Sequence, residues 1–190
     1  MSDLFRKLFT HKSIPMKRIL IFLLITAASH CIAQEIRIIK NYGDTFPVEE
    51  AALYLDKNTH YQVIFDIAKS PDQKDQLNSS INTVARFINM HVAQGVPLEN
   101  LEIIAVIHGR AVKDYITDQI YLNKFGVKNP NTKIIAALKE AGVKTYMCGQ
   151  SFAYQGYTKD QLSAHANLSL SAMTALVHFQ KAGYQLINFN

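Results

Sequence analysis

Tyr61-Gln62-Val63-Ile64-Phe65-Asp66-Ile67-Ala68 is an almost unbroken run of apolar, β-branched and aromatic residues, the pattern of a strand covered on both faces. Strands of that kind belong to parallel sheets, whose neighbours need long crossover connections, usually helices. The sequence after it supplies such connections. Ser70-Pro71-Asp72-Gln73 reads as a helix start, with Ser as cap, Pro at the first position and Gln at the third. Leu77, Ile81, Val84, Ile88 and Val92 then recur at helical spacing toward Gln94, and Gly95 is the stop. A second strand, Leu101 to Ile107, ends in His108-Gly109 and is followed by a short amphipathic segment with Val112, Tyr115 and Ile116. Asn129-Pro130 introduces a helix ending at Gly142, and Val143 to Met147 is a third strand closed by Cys148-Gly149. Thr158 with Gln161 forms a capping box that opens a long helix to about Lys181; Gly183 ends it and Tyr184 to Phe189 is the last strand. This alternation predicts an α/β fold with a mainly parallel central sheet.

The N-terminus is of another kind. Lys17 and Arg18 precede the apolar run Ile19 to Ala28, and Ser29-His30-Cys31-Ile32-Ala33 follows, in the order of a secretory signal peptide cut between Ala33 and Gln34. The run is too short to anchor the chain across roughly 30 Å of hydrocarbon. A lipoprotein signal using Cys31 is the rival, but His30 stands where a small residue is wanted. Met16 opens a more conventional signal than Met1, so residues 1–15 read as a spurious upstream start. Residues 34–60, with a β-like Ile36 to Ile39, Tyr42-Gly43-Asp44 and Pro47, form an N-terminal arm ahead of a domain over 61–190.

Cleavage would remove five of the 20 Lys and Arg residues and one of the 15 acids, leaving 15 against 14 and a net charge of +1. A near-neutral domain offers no electrostatic case for nucleic acid, or for a membrane after cleavage. The expected product is periplasmic or secreted. It would keep one of two cysteines, Cys148, and so no internal disulfide.

In open parallel sheets, ligands bind beyond the carboxyl ends of the strands, where Asp66, His108 and Cys148 all fall. Cys148 precedes Gly149-Gln150-Ser151 and a segment closing at Gly156, a short helix that would place the sulfur at its N-terminus and favour the thiolate. The alternative, that Cys148 is a small hydrophobe filling a strand end, is equally compatible with the spacing. His108, with Gly109 allowing close approach, is a candidate base or imidazolium neighbour, or a hydrogen-bonded strand-end residue. Asp66 is either a structural carboxylate or part of the pocket. His165 and His178 share no helix face and have no ligand at metal spacing, so neither a metal nor another cofactor is expected. The chain has no G-x-G-x-x-G, G-x-x-x-x-G-K-[ST] or G-x-S-x-G motif.

His108-Gly109, Asn129-Pro130-Asn131, Gly142-Val143 with Cys148-Gly149-Gln150-Ser151, Ser171-Ala172-Met173, and Gln180 through Gly183-Tyr184 together resemble the DsrE/DsrF-like family over about Tyr61 to Phe189. The resemblance implies a three-layer, flavodoxin-like arrangement and assembly into homotrimers or homohexamers. It also implies a sulfur-relay role in which Cys148 accepts a persulfide sulfur from a donor protein and passes it to an acceptor. His108 would assist, and Gly109, Gly149, Gln150, Ser151 and Asp66 would line the site. Export departs from that pattern, since the relays act in the cytosol. The other reading is a non-catalytic small-ligand-binding or structural homo-oligomeric module. Assembly also follows from the helix expected over Thr158 to Lys181. One stripe, Leu162, Ala166, Met173, Leu176 and Val177, is assigned to the sheet. A second, Leu168, Ala172, Ala175 and Phe179, is left for a neighbouring subunit, the arm or an adjacent helix to cover.

Overall fold

Five strands hydrogen-bond side by side, all parallel, in the order β4-β3-β2-β1-β5. They are β1 (Tyr61–Ile67), β2 (Leu101–Ile107), β3 (Lys144–Cys148), β4 (Asn167–Ser169) and β5 (Gln185–Asn188). The computed structural model describes residues 37–188. The chain divides into two compact units, Met1–Glu35 and Ile36–Asn190, and everything described belongs to the second. The signal peptide and its cut lie outside the described residues.

The helices are α1 (Ser79–Ala93), α2 (Asp118–Phe125), α3 (Thr132–Glu140), α4 (Gly149–Tyr154) and α5 (Ala172–Lys181), with single 3-10 segments at Leu98–Asn100, Gly109–Tyr115 and Lys159–Gln161. Because strand side chains alternate between faces, the sheet has two cores. Odd-numbered residues of β1 and β2, such as Phe65, Ile67, Ile103 and Ile107, pack with Ile81, Val84 and Ile88 of α1 and with Ile134 and Leu138 of α3. Even-numbered Ile64, Ile104 and Val106 pack with Ala172 and Ala175 of α5. Each fully buried aliphatic side chain contributes roughly 1.5–3 kcal/mol. The result is a three-layer α/β fold.

Three expectations from sequence need correcting. The first helix does not start at Ser70. Its cap is Asn78, whose Oδ1 accepts from the backbone N–H of Ser80 at 2.8 Å, while its Nδ2 donates to Lys69 O at 2.8 Å and to Asp114 Oδ2 at 2.7 Å. Those long-range bonds hold residues 69–78 as a loop, and the buried Ser70 hydroxyl bonds to nothing.

The second correction concerns the Thr158–Gln161 capping box. It forms, but closes only one turn. Ser163 N then donates to Tyr115 O at 2.8 Å, Ile116 bridges to Leu162, and the chain enters β4, which sequence reading had placed inside a helix. The helix restarts at Ser171, whose Oγ accepts from Thr174 N at 3.0 Å.

The third is the assignment of helix faces. Ala172 and Ala175 are buried and Phe179 is half-buried against the sheet, whereas Met173 and Val177, assigned to the sheet, are 75% and 66% exposed. Helix α2 was also unanticipated; its Tyr121 is buried, and its hydroxyl donates to Lys74 O at 2.7 Å.

Candidate functional site

The crossovers set the location. The connections leaving β1, β2 and β3 run over the face that holds α1, α3 and Phe152 of α4, whereas the connection leaving β4, through α5, crosses the other. Neighbouring strands β3 and β4 therefore send the chain to opposite sides at their carboxyl ends, the arrangement at which open α/β sheets bind ligands. Cys148, the last residue of β3, pairs there with Ser169, the last of β4.

Around the sulfur the backbone converges. Ser151 N donates to Cys148 Sγ at 3.4 Å. Burial, to 4% exposure, pushes the thiol pKa up, but the Ser151 hydroxyl and the N–H groups of Ser151, Ala172 and Gln150 outweigh it, and the net shift is below the ordinary 9.0. Ala172 is the first residue of α5 and Ser151 lies in the first turn of α4, so the sulfur faces the start of two helices, where unpaired N–H groups favour negative charge. Gly149 permits this closeness: a Cβ there would meet Ser169 O at 2.6 Å.

His108 and Asp66 fall on the same sheet face as Cys148, because Ile64-x-Asp66, Ile104-x-Val106-x-His108 and Tyr146-x-Cys148 continue one alternation in register. His108 Nε2 lies 2.7 Å from Asp66 Oδ1. A carboxylate only accepts, so Nε2 carries the proton and Asp66 fixes the tautomer and tilt of the ring. Gly109, at φ +54 and with Ala68 O 3.1 Å from where a Cβ would sit, turns the chain behind His108. Its N–H faces Ser151 Oγ at 3.4 Å, and its carbonyl accepts from Gln155 Nε2 at 2.7 Å. Gln150 contributes its N–H to the sulfur and exposes its side chain.

The structure thus brings Asp66 together with His108, and Cys148 together with Gly149, Gln150 and Ser151, while Gly109 joins the two groups through Ser151. Sequence reading missed Ala172 as a donor to the sulfur, because the capping box at Thr158 masked the helix start at Ser171; the Ser171-x-x-Thr174 spacing was the available signal. It also missed a buried ion pair, Lys113 Nζ to Asp114 Oδ1 at 2.9 Å, tied into the fold by Asn78 and Asn129. Among the described residues no three His, Cys, Asp or Glu side chains gather as metal ligands, and no helix is long and apolar enough to cross a membrane.

A model of the DsrE/DsrF-like family matches residues 62–189. The chain belongs to the DsrE/DsrF-like family. Among solved structures it is similar to the ychN protein from E. coli, at 17% identity and a TM-score of 0.50 over 67% of this chain and 99% of that one. It is also similar to a protein of unknown function, MTH1491 from Methanobacterium thermoautotrophicum, at 19% identity and a TM-score of 0.49 over 67% of this chain and 98% of that one. No curated protein matches. The ychN likeness extends to the fold; the site described above stands on this chain's own residues.

Proposed function

We propose that this DsrE-like protein is an exported sulfur carrier in which Cys148 is the nucleophile. The observation that carries the reading is the set of N–H and O–H donors around Cys148 Sγ, which holds the thiol pKa below its ordinary value in spite of burial. The thiolate attacks the outer sulfur of a donor persulfide, a new S–S bond forms at Cys148, and the donor leaves as its thiolate. His108, oriented by Asp66, then protonates the departing donor thiolate. Export, with the cut between Ala33 and Gln34, rests on the order of charged, apolar and small residues at 17–33. The intact mass of the exported protein checks it: retention of residues 16–33, or lipid on Cys31, contradicts a soluble periplasmic or secreted product.

The thiolate is tested by the rate of alkylation against pH. The expected midpoint lies below that of the same thiol in the unfolded chain. A competing reading, a binding or structural module with an inert thiol, draws on the 4% exposure of Cys148; it requires that the thiol react only after denaturation.

A further inference from the structure

A concave region is lined by Ser151 but not by the thiol. It is an open pocket of about 520 Å³ between the Gly109–Tyr115 segment, α2 and α4. Four cationic side chains, Lys74, Arg110, Lys113 and Lys124, line it, and no carboxylate does. Two of these charges are answered nearby: Arg110 pairs with Asp72, and Lys113 with the buried Asp114. Among the described residues Lys74 and Lys124 make no ion pair. Lys74 Nζ lies 5.4 Å from the Phe125 ring centre. Lys124 Nζ lies 4.2 Å from that of Tyr157, and donates to its hydroxyl at 2.8 Å. Like charges gathered in one concavity repel unless an anion joins them, and a low-dielectric wall strengthens both effects. Aromatic surface from the half-buried Phe125 and the buried Tyr157 supplies that wall.

We infer that this pocket binds a small, flat organic anion. Its phosphate, sulfonate or carboxylate group would sit between Lys74 and Lys124, and its apolar part against the aromatic rings. The volume is that of small-molecule sites generally and far exceeds one inorganic anion. The site shares Gly109 and Ser151 with the surroundings of Cys148 but contains neither Cys148 nor His108, so the two readings are tested separately.

Isothermal titration calorimetry with 1-naphthyl phosphate tests it. The expected result is saturable binding at one site per chain, weakened at least tenfold by K74Q/K124Q, and at least tenfold weaker for inorganic phosphate or 1-naphthol alone. C148S leaves it unchanged, so this inference and the carrier reading fail separately. Absence of saturable binding at millimolar concentration overturns the inference, as does binding that K74Q/K124Q leaves intact. The single variant K74Q, away from the Lys124–Tyr157 contact, should weaken binding severalfold while the thermal melt is retained; undiminished affinity in a folded K74Q would also count against the site.

Discussion

Burying a thiol opposes its ionisation, and Cys148 overcomes that penalty only through donors supplied by its neighbours. The Ser151 hydroxyl is the largest of the opposing influences. Removing it in Ser151→Ala leaves burial unopposed at that point, so the alkylation midpoint should rise toward or above that of a free cysteine, and Ser151→Thr should restore much of the shift. A midpoint unmoved by Ser151→Ala would transfer the credit to the backbone N–H groups alone. Asp66 teaches the same lesson about context. A carboxylate within an apolar strand was legible as an anomaly in the sequence, but its partner was not, because the 2.7 Å contact with His108 spans neighbouring strands whose register only the fold supplies.

At the scale of elements, periodicity and punctuation located β1, β2, β3, β5, α3 and the short α4, since those segments are decided by their own apolar pattern and turn residues. Long-range bonds decided the rest. Asn78 outcompetes Ser70 as a cap because Lys69 and Asp114 hold it from outside the helix. The three residues of β4 become a strand because β3 offers an open edge, although their own sequence reads as helix. Helix α1 also carries a pH dependence. His91 is buried near its end, its Nδ1 2.8 Å from Phe87 O, between the rings of Tyr61 and Phe87. Burial lowers its pKa from the ordinary 6.5, the Phe87 carbonyl opposing this in part. Below about pH 6.5 the unfolded chain therefore binds a proton that the folded chain refuses, and stability present above that pH is lost as pH falls toward the folded value. The urea midpoint of the parent should fall relative to that of His91→Gln between about pH 7.5 and about pH 5.5; parallel curves would show that His91 titrates alike in both states.

For the whole molecule, the outer face of α5 and the turn before it leave Leu170, Met173 and Val177 in solvent at 71%, 75% and 66% exposure. Contiguous apolar surface of that kind marks an interface, and a second copy of the chain is the occupant proposed here. Phe179, which packs with Tyr146 and Tyr184, would report on folding instead. Light scattering should give a trimeric or hexameric mass that Met173→Asp/Val177→Asp reduces, because an unpaired carboxylate in an apolar interface costs several kcal/mol; a monomer at micromolar concentration rejects assembly. Assembly, export and the cationic pocket are all secondary to what the sulfur does. Incubating the native protein with a persulfide donor and weighing it intact is the most direct measurement. Addition of one sulfur, roughly 32 Da, that is reversed by reductant and abolished by Cys148→Ser is the predicted result, whereas a native protein whose mass stays unchanged while its unfolded form takes up sulfur would contradict the carrier.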